Sequence, residues 1–420
     1  MGAIPQVAIR ESLRTRMSAL RFGALYGCAE VRCSLELGCP ESWPMTDLAF
    51  ATMSKRSSTE LAEEQSSAPE LLEKLVHQAE KAGASDLHLQ MGSESATVTF
   101  RLDGVMTPET TLPAAVAERV IGRIKFLARL KTYQESLPQD GRIDKSAVHA
   151  RSDIRVSTYP TVTGEKIVLR LFDAAEVRTL AQLDFPSDTR QELETFLQRT
   201  SGLLLLTGPA GSGKTTTIYA CLRALAEARG RHIITVEDPV EQLVPGVMQT
   251  EVNEARGLDF AKAARHLLRQ DPQVLVIGEI RDEETANLAV RAGLTGHLVI
   301  STLHAGSCKG VCERLLVLCE DLSAVAASLE LVMNQRLLRR VCSECGGKGC
   351  PVCLGTGYRG RVPVVELLRF SEESRRRMRA RDLEGLTARP DLAECGRQLI
   401  ESGMTTEAEV VRVLGPVNPR

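Results

Sequence analysis

The alternation of apolar and polar positions changes character along the chain. Residues 1–66 show little periodicity and run into the polar stretch SKRSSTELAEEQSSAP. A segment that cannot bury apolar surface does not offset the entropy of ordering, so these residues are expected to be a poorly ordered leader or a reduced N-terminal domain. Because clear patterning begins only after them, Met45 or Met53 is the start that the pattern would lead one to expect. After Pro69 the residues Leu71, Leu72, Leu75, Val76 and Ala79 recur at helical spacing before Gly83, which predicts a helix with one buried face.

DLHLQ and ATVTFRLDGV then alternate as strands do and close on an Asp-Gly turn at 103–104, followed by a helix near 113–130. DIRVSTYPT and EKIVLRLF, joined through Val162 to Gly164, read as a second pair of strands. Residues 67–173 are therefore expected to form a small α+β domain, with a linker at 174–184.

A helix near 187–200 leads into a different rhythm. LLLLT, a helix from 214, HIITVE, QVLVIGE and HLVISTLH alternate short unbroken apolar runs with helices. Strands that are apolar on both faces belong to a parallel sheet covered by helices on either side, so residues 185–338 should be an α/β core. Residues 339–361 form a loop rich in Gly and Cys, and residues 362–420 read as helical and charged.

Composition narrows the function classes. A chain of 420 residues, 43% hydrophobic and 25% charged, is globular and large enough for several domains. Its 52 basic and 54 acidic residues nearly cancel and only 4% are aromatic, which leaves little field or stacking surface for a nucleic acid, so none is expected as a partner. No long apolar run and no secretory leader are found, so the chain is expected in the cytosol.

The chemistry begins at GPAGSGKT, which fits G-x-x-x-x-G-K-[ST] between an apolar strand and a helix. Gly208, Pro209, Ala210, Gly211, Ser212 and Gly213 would turn backbone amides toward phosphate oxygens at a helix N-terminus, with Thr216 just beyond. Lys214 would reach the β- and γ-phosphates of ATP, and the Thr215 hydroxyl would ligate Mg²⁺. Hydrolysis also needs carboxylates at the ends of neighbouring strands. Glu237 (with Asp238) in IITVEDPVE and Glu279 in VLVIGEIRDEET are the candidates. His297 and His304 flank HLVISTLH, either as hydrogen-bonded strand-end histidines or as sensors of the γ-phosphate.

Those segments, together with APELLEKLVHQAEKAGASDLHLQ, LPQDGRI, RVSTYPTVTGEKIVLRL and GYRGRVPVVELL, resemble the type II secretion and type IV pilus assembly ATPases, the GspE and PilB kind, over roughly residues 68–412. The resemblance implies a RecA-like P-loop core preceded by a PAS-like second N-terminal domain. It implies that Glu279 polarises water, that Glu237 assists near the metal, and that His297 and His304 couple nucleotide state to conformation. Arg155 and Arg170 match arginines that the small domain presents to the γ-phosphate. It further implies a homohexamer, peripheral on the cytoplasmic side of the inner membrane, driving pilin-like subunits through a platform protein. Departures from the family pattern are a first N-terminal domain expected to be absent or reduced to residues 1–66, Gln273 in DPQ, and Ala305-Gly306 after His304. Two other functions stay open: a hexameric nucleic-acid translocase and a low-turnover regulatory ATP-binding subunit.

Cys342, Cys345, Cys350 and Cys353 give C-x2-C-x4-C-x2-C, two knuckles able to supply four thiolates to one Zn²⁺. Rival readings are a redox C-x-x-C, which would want a thioredoxin-like setting that is missing, and a nucleic-acid zinc ribbon. Retraction ATPases typically lack this loop, so its presence points to the assembly or secretion branch, although the two cysteine pairs are closer together than is usual there. Arg339, Arg340, Lys348, Arg359 and Arg361 surround the loop, as a solvated face or as a contact for acidic phospholipid.

Overall fold

A computed structural model describes residues 67–171 and 178–416; the expectations for residues 1–66 and for the first part of the linker lie outside them. The expected first helix is Ala68–Ala82 (α1). Its entry is capped, with the Ser67 amide donating to Glu70 Oε2 at 2.8 Å, and Leu71, Leu72, Leu75, Val76 and Ala79 are all buried.

The small domain continues with Ala84–Met91 (β1), Ser95–Leu102 (β2), Val105–Pro113 (β3), Ala114–Leu127 (α2), Gln139–Ile143 (β4), Ile154–Thr161 (β5) and Gly164–Leu171 (β6). The strands form an antiparallel sheet in the order β3-β2-β1-β6-β5-β4. Strands β3 and β4 add to those expected. Leu87, Leu89, Val98, Phe100, Val156, Ile167 and Leu169 pack against both helices. Because side chains alternate across a strand, Asp86, His88, Arg101, Arg155 and Arg170 lie on the opposite face. Lys125 closes the helical side: its buried Nζ reaches Glu165 at 2.8 Å and donates to the Gln134 carbonyl at 3.0 Å. A buried charge of this kind is tolerated only when paired.

The core domain opens with Ser187–Leu197 (α3) and Gly202–Thr207 (β7), then Lys214–Glu227 (α4), Ile233–Glu237 (β8), Val247–Glu251 (β9) and Phe260–Leu267 (α5). Val274–Ile277 (β10), Glu283–Leu294 (α6), Leu298–Thr302 (β11), Cys308–Leu318 (α7) and Leu322–Ser328 (α8) follow. Leu329–Val341 (β12), Tyr358–Arg369 (β13), Glu372–Arg379 (α9), Leu392–Glu401 (α10) and Glu407–Leu414 (α11) complete it. The sheet runs β13-β12-β7-β11-β10-β8-β9, parallel throughout except for the β12–β13 hairpin.

The unbroken apolar runs have a physical cause. Leu203 and Leu205 pack into the core on one side of the sheet, and Leu204 and Leu206 into the core on the other. Each fully buried leucine contributes about 2 kcal/mol, so a polar residue in place of any of these four leucines would be costly. The region after the cysteine loop differs from a purely helical reading. It begins with the twelve-residue strand β13, and only then become helical. Strand β12 was not legible as a strand either, because Asn334, Gln335 and Arg336 interrupt its apolar pattern.

Candidate active site

The phosphate loop joins β7 to α4 and is shaped by close approaches. Gly208 has a φ of 139°, and a Cβ there would lie 2.4 Å from the Gln335 carbonyl oxygen; at Gly213, with φ 92°, it would lie 2.7 Å from Gln335 Nε2. Only glycine fits both places. Lys214 Nζ donates to the carbonyls of Gly208 at 2.8 Å and Pro209 at 2.9 Å. Burial pushes this ammonium below its ordinary pKa, against the pull of the Glu279 carboxylate. The Ser212 hydroxyl is buried without a hydrogen-bond partner. An orphaned hydroxyl costs about 1–3 kcal/mol, and a phosphate oxygen at this helix N-terminus would satisfy it. Thr215 and Thr216 are exposed on the first turn of α4.

The two strand-end carboxylates are held in different ways. Glu237, at the end of β8, is buried and fully partnered. Its Oε2 accepts from the Tyr219 hydroxyl, and its Oε1 accepts from Thr235 Oγ1 at 2.6 Å and Gln249 Nε2 at 2.9 Å. Glu279, just past β10, is more open. Its Oε2 accepts from Arg281 Nε at 2.8 Å, its Oε1 lies 3.0 Å from His304 Nε2, and Arg281 also reaches Asp238 at 3.5 Å.

The segment carrying His304, just past β11, is laced to its neighbours. Thr207 Oγ1 donates to the Ala305 carbonyl at 3.0 Å and accepts from the Ala305 amide at 2.9 Å, while the Ile280 amide donates to the Thr302 carbonyl at 2.9 Å. Phosphate loop, Glu279 and His304 therefore share one edge of the sheet.

His297 does not join them. Its carbonyl accepts from the Gly202 amide at 3.1 Å, which puts it at the start of β11, beside the start of β7 and at the far end from the phosphate loop. Gln273 is also remote: it stands before β10, where its Oε1 accepts from the His232 amide at 2.6 Å. That departure from the family pattern touches no residue of the nucleotide edge.

Arg336 was not singled out from the sequence. It is half-buried beside the phosphate loop, donating to the Gly306 carbonyl at 3.0 Å, the Gln335 carbonyl at 3.1 Å and Asn334 Oδ1. Asn334 Nδ2 donates to Gly306 at 3.1 Å and to Glu366 Oε2 at 2.7 Å. The segment after His304 is thus fastened to the β12–β13 hairpin. No motif spacing announces this, because these residues are ordinary polar interruptions of a strand.

On the small domain, Arg155 and Arg170 stand opposite each other in register on β5 and β6. Arg170 Nε donates to the buried Asp86 carboxylate at 3.0 Å, and Arg101 approaches the same carboxylate at 3.3 Å.

The sulfurs of Cys342, Cys345, Cys350 and Cys353 all lie within 4.8 Å of one another, with closest separations of 3.7, 3.8 and 4.0 Å. Four sulfurs bound tetrahedrally to one metal at about 2.3 Å sit about 3.8 Å apart, so the group fits a metal ion. Burial alone would raise the Cys353 thiol, but the amides of Cys350 and Gly357 donate to its sulfur at 3.2 and 3.3 Å and bring it down to about 6. The basic residues nearby are mostly engaged within the chain. Arg339 holds Glu409 at 2.7 Å, Arg340 holds Asp184 at 2.7 Å and Arg361 approaches Asp103 at 3.7 Å, while Lys348 and Arg359 are exposed. No helix of the described residues is long and apolar enough to cross a membrane.

Comparison with known proteins agrees with this geometry. The family model for "Type II/IV secretion system protein" matches residues 61–412. The putative type II secretion system protein E of Escherichia coli K12 is 37% identical over 401 residues, covering 87% of this chain and 81% of that protein. The type II secretion system protein HxcR of Pseudomonas aeruginosa is 39% identical, with 84% and 79% covered. The type II secretion system ATPase E of Vibrio cholerae is 35% identical, with 84% and 77% covered.

Among solved structures, the pilus retraction motor PilT with bound ADP superposes with a TM-score of 0.59 at 26% identity, covering 83% of this chain and 97% of that one. The Legionella pneumophila ATPase DotB gives a TM-score of 0.62 at 20% identity, with 81% and 94% covered, a likeness of fold. With a family match running from before the first helix of the small domain into the last helix, the chain belongs to the type II/IV secretion system protein family.

Proposed function

We propose that the chain is an ATP-hydrolysing motor of a type II secretion or type IV pilus assembly apparatus. The observation that carries this reading is Glu279 held between Arg281 and His304 on the sheet edge that also bears the phosphate loop. A carboxylate fixed at both oxygens is pre-aimed to align an attacking water.

In this reading Lys214 exchanges its two loop carbonyls for phosphate oxygens, and the Ser212 hydroxyl gains its missing partner. Mg²⁺, when bound, neutralises charge developing on the β- and γ-phosphates. Thr215 would hold it, with Glu237 acting from behind through the groups that fix it. His304 follows the state of Glu279, whereas His297 keeps the far strand end. Arg170 and Arg155 would stabilise γ-phosphate charge once Arg170 leaves Asp86. The four cysteines would hold Zn²⁺ as a structural centre.

The partners proposed are further copies of the chain in a homohexamer and an inner-membrane platform protein, at the cytoplasmic face of the membrane. The test is steady-state ATP hydrolysis by the full chain. Turnover lost in Lys214→Ala and unchanged by single-stranded DNA supports the motor reading; equal turnover in Lys214→Ala would sink it.

A further inference from the structure

The cysteine knuckle takes no part in the proposed hydrolysis, yet it meets the small domain of its own chain. The Gly360 amide donates to Asp103 Oδ2 at 2.8 Å, and Arg361 Nε approaches Oδ1 of the same carboxylate at 3.7 Å. Leu354, directly after the last cysteine, packs against the small-domain core. These partners are 257 positions apart in sequence.

The Leu354 contact lies within the knuckle itself, whereas Gly360 and Arg361 stand at the start of β13, directly after it. Between residues 342 and 357 the only buried side chains are those of Cys342 and Cys353, so an apolar core does not set its shape. Backbone bonds such as Cys342 amide to Gly357 carbonyl at 2.9 Å set it together with the sulfur cluster, whose amide donors are Gly349 to Cys345 Sγ at 3.3 Å, Cys350 to Cys353 Sγ at 3.2 Å and Gly357 to Cys353 Sγ at 3.3 Å. Leu354 has a φ of 49°, a left-handed conformation that a leucine holds only where its surroundings impose it. The Gly355 amide, bonded to the Cys350 carbonyl at 2.9 Å, closes that turn.

On the other side, the docked turn leads directly into the arginine row. Arg101 Nη1 donates to the Gly104 carbonyl at 3.3 Å, and Arg101 shares Asp86 with Arg170.

We propose that the tetracysteine knuckle is an interdomain latch whose partner is the Asp103–Gly104 turn of the same chain, and that metal binding keeps its docking surface in shape. The metal part rests on the zinc reading above; the Asp103 contact stands without it. Loading the cysteines with metal orders Leu354 for docking beside the strand residue Gly360, and the docked turn sets where the small domain carries its arginines.

Hydrogen–deuterium exchange of the full chain, with zinc content measured in parallel, tests this. In Asp103→Ala, peptides covering 100–106 and 352–362 should exchange about tenfold faster or more while zinc content stays that of wild type. In Cys350→Ser, zinc should be lost and exchange should rise at 100–106 as well as in the knuckle. Chelation of the wild-type chain gives the same readout if that variant does not fold. Unchanged exchange at 352–362 in Asp103→Ala overturns the latch. Unchanged exchange at 100–106 after zinc loss, or wild-type protein that is protected there but carries no zinc, overturns the role of the metal.

Discussion

Glu279 Oε1 lies 3.0 Å from His304 Nε2, while Glu279 Oε2 is held at 2.8 Å by Arg281 Nε. The carboxylate is therefore gripped from two strand ends at once, one following β10 and one following β11.

Replacing Glu279 by Gln should lower kcat by about 10²–10⁴-fold while nucleotide affinity is retained, since the amide keeps the shape but cannot take a proton from water. His304→Ala should cost less, about tenfold, because Arg281 still fixes the other oxygen. Single-turnover hydrolysis alongside nucleotide-binding titrations separates the two; a Glu279→Gln variant with normal turnover removes Glu279 from the chemistry.

Tyr219 is the node behind Glu237. Its hydroxyl donates to Glu237 and accepts from the amides of Glu241 at 3.0 Å and Gln242 at 3.1 Å. Burial, with the neighbouring carboxylate adding to it, raises the phenol well above its ordinary pKa, so it remains a donor wherever the protein is folded. Tyr219→Phe should lose about 1–3 kcal/mol of stability through the unpaired groups and lower kcat with KM little changed. Melting temperature and kcat both at wild-type values would show that the node has no such role.

Arg336 spans three acceptors around Gly306. Arg336→Ala should lower kcat by about 10- to 100-fold by loosening the segment after His304, and Arg336→Lys should not restore it, because an ammonium lacks the planar fork. Rescue by lysine would show that only the charge matters.

Glu409 gives a pH-dependent signature. Although burial works against ionisation, hydrogen bonds from Arg412 and Arg339 draw its carboxyl from the ordinary 4.5 down to about 2. A depressed folded-state pKa contributes stability above the unfolded value and loses it as pH falls. Glu409→Gln should therefore cost about 3 kcal/mol at neutral pH, with the penalty shrinking between pH 4.5 and 2. Denaturant melts of both proteins across that range check it, and a pH-independent difference would contradict the ion-pair account.

Much of the site was legible because its chemistry is local. GPAGSGKT carries its own strand, turn and helix, and each candidate carboxylate closes an apolar run, so their place at the carboxyl edge follows from the parallel sheet. The residues that escaped notice act across the sequence. Arg336 and Asn334 look like defects in a strand until β12 is seen lying beside β7, and Tyr219 looks like one more apolar position on a helix.

The converse holds for His297 and Gln273. Both sit next to recognisable motifs, yet strand direction carries them to the opposite edge, because a five-residue strand separates its ends by about 15 Å.

By itself, then, the amino-acid order determined the two-domain pattern, the phosphate loop, the strand-end acids and the spacing of the four cysteines, all of which depend on neighbours within a few residues. Only the tertiary structure decided which of two histidines meets Glu279, that Asp86 holds Arg170, and that the cysteine knuckle rests on the Asp103 turn. Those pairings join elements tens to hundreds of residues apart, and sheet order, strand direction and domain docking choose them through the burial of surfaces that no local pattern encodes.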